Sequence, residues 1–434
     1  MKTLQIKQEN SIKTQLKTAA PIFVFLLCYN FIVTKRCQIE LLDGITYLFH
    51  CVDFSLGFCS RFLPGAVYNL FVSAPSQLSA TVYEYILLLI FSAALSLILA
   101  KWLTAADKKY SADSKRLLLI FLTGSCTFSI YFCEPGMLDF YWVAISLLFI
   151  VCLRSNILRF LCPLLTVPCC MVHPGVMLCY VPFFALLLLY EHISSETKKD
   201  KKIYLALFAL TCIFSIAAFS YFTLCDKKNV TVDIYEFNDI IEERGGDTEN
   251  TYFLNYLFLD PDNIEDYLAV TGKDSYMENP FTERGEADGI KGLINAVIYQ
   301  IELHLAFYKD SFYKCVFIEP LAELLILLPA IIMLYGFAVK KFKESKGNKL
   351  SRFFYLCMLF QLPLALFGSL LISTDSMRWL SHGYTLMFAL ALYIIYREKG
   401  ADLRGISAYF GRFPAAAKTV WHIIYALVIL SPYV

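Results

Sequence analysis

Charged residues are scarce in this sequence, and their scarcity excludes an ordinary soluble protein. Only 17% of the 434 residues are Asp, Glu, Lys or Arg, whereas 58% are hydrophobic and the mean hydropathy is +0.57. A typical soluble domain has about 25% charged and about 45–50% apolar residues. The composition therefore predicts a polytopic membrane protein, for which chain length does not give a domain count.

Motifs that mark nucleotide or zinc sites are also missing. The chain has neither a GxGxxG pattern nor a P-loop, so no nucleotide cofactor is expected, and nothing predicts a nucleic-acid partner. Its 15 Cys include no CxxC and no Cys/His zinc spacing. Most of them lie inside apolar runs, where Cys packs as a small hydrophobe. A divalent cation held by acidic residues stays an open alternative.

Apolar runs of membrane-spanning length make up most of the chain. A helix needs about 20 apolar residues to cross about 30 Å of hydrocarbon. The run 157–190 is too long for one crossing, and we expect it to turn at His173-Pro174-Gly175 because Pro and Gly interrupt helices. With that division about eleven spans are predicted. They are 18–33, 82–103, 117–132, 138–153, 158–172, 175–190, 203–224, 316–339, 352–372, 380–396 and 419–433.

The distribution of Lys and Arg predicts the orientation of these spans. Every second loop is basic, beginning with the N-terminal segment, and basic loops mark the cytoplasmic side. The first apolar run ends at "TKRC" without a small-residue cleavage site, which indicates an uncleaved signal anchor. We therefore predict a multi-pass protein of the cell membrane with a cytoplasmic N-terminus. The outward-facing segments would be 34–81, 133–137, the His173 turn, 225–315 and 373–379.

This topology divides the all-α chain into three parts. Residues 1–224 form a membrane module of about seven spans, with interfacial helices in the outer loop 34–81. Residues 225–315 form a large acid-rich outer loop. Its amphipathic stretch 289–308 predicts a small, mostly helical subdomain. Residues 316–434 form a second membrane module of about four spans. The tripeptide "NVT" at Asn229 matches a glycan acceptor pattern.

Polar residues in the first outer loop suggest chemistry. In "HCVDFSLGFCSRFLPG", a helix over 52–62 would place Asp53, Gly57 and Arg61 on one face, and Pro64-Gly65 would end it. In one interpretation Asp53 is a general base or metal ligand and Arg61 binds a phosphate. In the other, the two residues form a salt bridge that fixes the loop.

Further polar residues belong to the same predicted face of the membrane. Charged groups near hydrocarbon usually pair or line a cavity, so a pocket for a polyphosphate or sugar-phosphate is predicted. The candidates for substrate or phosphate binding are Arg61, His173 and Arg378. The candidate acids or metal ligands are Glu134, Asp139 and Asp375. The alternatives are a cap before a proline for Glu134, a packed turn residue for His173, and a local ion pair for Asp375 and Arg378.

The inside N-terminus, the acid in a long first outer loop and the large later outer loop resemble the C-type (GT-C) membrane glycosyltransferases. The resemblance implies that Asp53 is the catalytic acid and that outer Arg residues, here Arg61 and Arg378, hold a lipid-linked phosphate donor. Members with an adjacent acid pair differ from this chain, in which Phe54 follows Asp53. Bacterial polysaccharide polymerases share a related scaffold and are an open alternative.

We therefore predict a glycosyltransferase or polysaccharide polymerase of the cell envelope. Its donor would be a polyprenyl-phosphate- or diphosphate-linked sugar, and its acceptor a glycan or lipid. A transporter or flippase of lipid-linked or anionic cargo is the main rival. It predicts polar residues near the bilayer midplane and internal symmetry, whereas the polar residues here are mostly at the outer face. A non-catalytic membrane assembly protein is the third alternative.

Overall fold

The computed structural model describes most of the chain as helices. The described residues are 2–28, 40–105, 136–174, 177–248, 319–372 and 376–398, with isolated positions 251, 254, 257, 258, 294, 298, 414 and 420. Within these ranges every named element is a helix, and one β-bridge between Gly57 and Val230 lies outside any strand. The predicted all-α class is therefore confirmed for the described part of the chain.

The helices have the following bounds. They are α1 (Lys2–Cys28), α2 (Gly44–Cys51), α3 (Leu63–Tyr68), α4 (Gln77–Ala105), α5 (Leu138–Leu153), α6 (Thr166–Val172), α7 (Met177–Ser194), α8 (Lys198–Leu224), α9 (Asp226–Asn229), α10 (Ile234–Glu243), α11 (Glu319–Glu344), α12 (Lys349–Ile372) and α13 (Ser376–Arg397). A single turn of 3₁₀ helix at Leu158–Leu161 precedes α6.

Two helices among the described residues, α4 and α8, are long and apolar enough to cross a membrane. The helices α5 and α7 are apolar but shorter. On α4 the exposed residues Leu78, Val82, Ile86 and Ile90 recur at helical spacing, so one face of this helix is apolar and uncovered. These features indicate association with a membrane. The predicted spans 117–132 and 419–433 lie outside the described residues, apart from position 420.

The bundle is built around α7, α12 and α13. Helix α7 packs against α8, α12 and α13, and α12 packs against both α11 and α13. Helix α1 lies along α4, which contacts α13. Large buried aromatic side chains, including Phe183 and Tyr393, fill the interior between these helices. The bundle therefore has a large apolar core, and a second, small apolar cluster lies around Cys170 and Phe222.

The long apolar run 157–190 does divide at His173. Helix α6 ends at Val172, and α7 begins at Met177. The first half is not a continuous helix, because only the short 3₁₀ turn and α6 are regular. It runs antiparallel to α5: Cys162 Sγ contacts the carbonyl of Phe149, and Trp142 Nε1 donates to the carbonyl of Cys169 at 3.2 Å. The predicted turn is right, and the predicted single helix over 158–172 is wrong.

The segment predicted to be the first outer loop differs more from its prediction. Residues 52–62 contain no helix, because Gly57 has a φ of 138° and Arg61 a φ of 69°. Helix α2 precedes this segment and α3 follows it. Pro64 lies in the first turn of α3, where its missing N–H costs nothing, so it starts a helix rather than ending one. The predicted shared helical face of Asp53, Gly57 and Arg61 is therefore wrong.

Candidate functional site

Asp53 is the acidic residue at the centre of the loop between α2 and α3, the predicted first outer loop. It lies two residues after α2, and its side chain is 15% exposed. The Ser55 amide donates to Oδ1 at 2.9 Å, and the Ser55 hydroxyl donates to the same oxygen. Asn69 Nδ2 donates to Oδ2 at 2.5 Å, and Arg244 Nη1 lies 3.1 Å from that oxygen. Four donors thus converge on one carboxylate.

These contacts determine the acidity of Asp53. Burial, the largest single influence, acts to raise the pKa of its carboxyl. The hydrogen bonds from Ser55, the charge of Arg244 and the hydrogen bond from Asn69 act in the opposite direction and together lower the pKa below its ordinary value. Asp53 is therefore held as a carboxylate at neutral pH.

Arg244, and not Arg61, is the cation beside Asp53. It caps the C-terminal end of α10, in the segment predicted to be the large outer loop. Besides Asp53, Nη1 donates to the carbonyl of Cys51 at 2.6 Å, and Nη2 lies 3.5 Å from the Ser55 hydroxyl. The hydroxyl of Tyr47 donates to the Arg244 carbonyl at 2.6 Å. The predicted Asp53–Arg61 salt bridge is therefore replaced by a pair whose members are 191 positions apart.

The segment 226–246, which we call the outer cover after its predicted side of the membrane, lies against residues 52–62. The amide of Thr231 donates to the Leu56 carbonyl at 3.0 Å, and Asn229 Nδ2 donates to the Phe58 carbonyl at 3.2 Å. A Cβ on Gly57 would lie 2.3 Å from the Asn229 carbonyl oxygen, so only glycine permits this approach. The Asn229 amide of the glycan acceptor pattern is thus engaged in packing the cover.

Arg61 contacts His173 instead. Its Nη2 lies 3.0 Å from His173 Nε2, and its backbone amide donates to the Met171 carbonyl at 2.6 Å. A guanidinium can only donate, so Nε2 of His173 must accept, which places the ring proton on Nδ1. The His173 ring meets Trp142 edge-on at 5.8 Å. Two predicted site residues, Arg61 and His173, are therefore brought together.

Asp139 forms a buried cluster with residues that sequence reasoning missed. It is hydrogen-bonded to His382 Nε2, and His382 Nδ1 lies 2.9 Å from the Tyr180 hydroxyl. Trp142 packs edge-on against His382 at 5.7 Å, so this indole touches both the His382 and His173 rings. A histidine inside the predicted span 380–396 was the available signal, because ionisable residues in spans usually have a functional or paired role.

A second buried acid–histidine pair joins α2 to α4. His50 Nε2 lies 2.7 Å from Glu84 Oε1, and both side chains are wholly buried. His50 Nδ1 donates to the Thr46 carbonyl at 2.9 Å, and the Tyr141 hydroxyl donates to Glu84 Oε1. Since the carbonyl can only accept, one further proton is shared between His50 Nε2 and Glu84. Glu84, inside the predicted span 82–103, gave the same signal as His382.

Three predicted site residues cannot be placed in this geometry. Glu134 and Asp375 lie outside the described residues. Arg378 falls in the first turn of α13, one turn before His382, but its side chain is outside the described part. Within the described residues, no group of three or more His, Cys, Asp or Glu side chains could hold a metal ion.

Comparisons of the chain with protein-family models, with curated proteins and with solved structures find no match.

Proposed function

We propose that the chain is a multi-pass membrane glycosyltransferase or polysaccharide polymerase. It takes a sugar from a polyprenyl-phosphate- or diphosphate-linked donor at the extracytoplasmic face and passes it to a glycan or lipid acceptor. The observation that carries the proposal is the pairing of Asp53 with Arg244 at 3.1 Å. It brings together a carboxylate and a guanidinium, a cation that can bind phosphate. The resemblance of the topology to C-type (GT-C) glycosyltransferases, with about eleven spans and the N-terminus inside, supports it.

In this proposal Asp53 is the general base. It accepts the proton of the acceptor hydroxyl while the acceptor oxygen forms a bond to the anomeric carbon and the bond from that carbon to the phosphate oxygen breaks. Arg244 stabilises the negative charge that develops on the departing phosphate, the role that the sequence predicted for Arg61 and Arg378. Arg61 and His173 form a neighbouring polar pair, and Arg378 remains a candidate for phosphate binding.

The test is the transfer activity of Asp53→Asn. The substitution removes the base but changes almost no volume. We therefore expect transfer from a polyprenyl-phosphate-linked sugar to fall by about 100-fold or more, a typical contribution of a general base. The control Asp239→Asn removes the same charge from an exposed position on α10 and should retain full activity. A fully active Asp53→Asn variant would exclude this role.

A charge exchange separates catalysis from structure. Asp53→Arg combined with Arg244→Asp restores an opposite-charge pair across the outer cover. We expect this double variant to recover folded protein without recovering transfer. If it recovers both, the pair only holds the cover in place and Asp53 is not the base.

A transporter of lipid-linked or anionic cargo is the second candidate. The observations that favour it are the buried pairs His50–Glu84 and Asp139–His382, because paired ionisable groups inside a membrane bundle are typical of proton-coupled carriers. In reconstituted vesicles this candidate predicts movement of a fluorescent polyprenyl phosphate between leaflets, lost in Glu84→Gln and retained in Asp53→Asn. For sugar transfer, the glycosyltransferase proposal predicts the opposite result: activity is lost in Asp53→Asn and retained in Glu84→Gln.

A further inference from the structure

Both carboxylate oxygens of Asp53 are occupied in the structure. Oδ1 accepts from the amide and the hydroxyl of Ser55, and Oδ2 accepts from Asn69 and Arg244. A base needs an accessible oxygen to receive a proton, so this arrangement is that of a bound anion rather than of a base in action. The Arg244–Asp53 contact is also the link by which the outer cover closes over the acid.

The donors around Asp53 form a set that also suits phosphate. A backbone N–H, a hydroxyl, a side-chain amide and a guanidinium are the groups from which phosphate oxygens accept hydrogen bonds, and the guanidinium is the strongest of them. Among the described residues, Asp53 is the only acid within hydrogen-bonding distance of Arg244. A substrate phosphate reaching Arg244 must therefore compete with one anion, the carboxylate of Asp53.

We propose that the substrate's phosphate group replaces the Asp53 carboxylate in this four-donor site, so that donor binding itself releases Asp53 to act as the base. The inference rests on the proposed function and specifies how its site is switched on. Asp53 lies on the irregular segment after α2, where no neighbouring helical turn restricts the rotation of its side chain. Without the phosphate, the ion pair keeps the site closed.

Replacement of the carboxylate by phosphate raises the proton affinity of Asp53, as a general base requires. The hydrogen bonds and the Arg244 charge lower the pKa of the carboxyl, whereas burial alone raises it. When a phosphate takes over these donors, burial and the new negative charge nearby both favour the protonated form. Asp53 is then a stronger base when the donor is bound.

The experiment measures binding of polyprenyl monophosphate to the full-length protein in nanodiscs, and the expected change is a gain of affinity. Asp53→Ala removes the competing anion, so it should bind the lipid about five-fold more tightly than the wild type, equivalent to about 1 kcal/mol. The control Asp239→Asn should bind like the wild type. Neutral polyprenol should show no gain with either variant, because it lacks the phosphate.

Further variants keep the test decisive. If Asp53→Ala folds poorly, Asp53→Asn keeps the volume and should show a smaller gain. Adding Arg244→Gln to either variant should remove the gain, whereas Arg244→Lys, which keeps a positive charge, should retain part of it. Inorganic phosphate serves as a competitor: competition in the millimolar range would mean that the site recognises the phosphate itself, and its absence would mean that the lipid chain is also required.

If both Asp53 variants bind polyprenyl monophosphate no more tightly than the wild type, phosphate does not replace the carboxylate and the proposal is wrong. Transfer activity distinguishes this failure from a failure of the proposed function. If the wild type transfers sugar but the variants show no gain of binding, the proposed function is supported and the replacement of the carboxylate by phosphate is excluded. A gain of binding without any sugar transfer by the wild type supports the anion site and removes the glycosyltransferase.

Discussion

Both ends of the helical bundle contain an acid paired with arginine, yet the two clusters are built differently. At the end formed by the last turns of α5, α7 and α13, Arg397 holds Glu191 through Nε at 2.7 Å and Nη2 at 2.9 Å. Tyr393 donates to the same carboxylate at 2.5 Å, and Arg154 Nη1 lies 3.7 Å away. At the other end, Asp53 and Arg244 meet between two loop segments.

The difference lies in what carries the side chains. Glu191 is 2% exposed, and its partners project from helices that the apolar core already fixes. Opening such a pair would leave the buried Glu191 carboxylate without its cation, so the pair acts as a structural clamp. Asp53 is more exposed and lies on irregular chain, where a side chain can exchange partners. The same ion-pair chemistry thus serves structure at one end and suits a substrate at the other.

Basic residues predicted to be cytoplasmic gather with the Glu191 cluster. Arg159 lies 3.1 Å from Asp200 at the start of α8, and Lys341 lies 2.5 Å from Glu398 just after α13. The elements that carry these contacts meet at the end of the bundle opposite Asp53. That this end faces the cytoplasm stays a prediction from the charge distribution.

Removing the acid of the structural clamp should have the largest effect on stability. Glu191→Ala leaves Arg397 without its buried partner, so we expect the free energy of unfolding to fall by about 3 kcal/mol. Unfolding in detergent against increasing denaturant measures this loss. The control Glu196→Ala, on an exposed loop nearby, should change it by less than about 0.5 kcal/mol. A loss as small as the control's would remove the distinction between the two clusters.

Substituting Gly65, which lies where α3 packs against α2, should have the next largest effect on stability. A Cβ on Gly65 would lie 1.9 Å from the Val52 carbonyl oxygen and 2.8 Å from that of Phe49, so Gly65→Ala must move α3 away from α2. We expect a loss of about 2 kcal/mol. Gly336→Ala is the matched control, because its Cβ meets nothing within 4 Å and alanine favours a helix. Similar results for both variants would contradict the close packing of α2 and α3.

Lowering the pH should have the smallest effect on stability, through the Asp53–Arg244 pair. The pKa of Asp53 is lowered in the folded state, so its contribution to stability is present above the ordinary value of about 3.9 and is lost as the pH falls through the lowered value. We expect that contribution to be at most about 1 kcal/mol. Melting temperatures of the wild type and Asp53→Asn should therefore converge below about pH 3.9. A difference that stays constant across this range would mean that the ion pair does not contribute.

Local sequence properties predicted many of the helices but not the loop that carries the site. Helix α5 occupies the predicted residues 138–153, because a long apolar run specifies a helix through its own length and composition. The spacing of Asp53, Gly57 and Arg61 also suggested a helix. That prediction failed because Gly57 and Arg61, which have positive φ, contact Asn229 and Met171, residues distant in sequence that no local pattern identifies.

By itself, the sequence determined that the chain is helical and apolar, where many of its helices lie, and that His173 marks a turn, because these properties depend on residues close together in the chain. Only the tertiary structure decided which charges meet. Asp53 pairs with Arg244 across 191 positions, and Asp139 with His382 across 243. The physical reason is that an ion pair depends on distance in space, and the packing of the helices and the outer cover sets that distance.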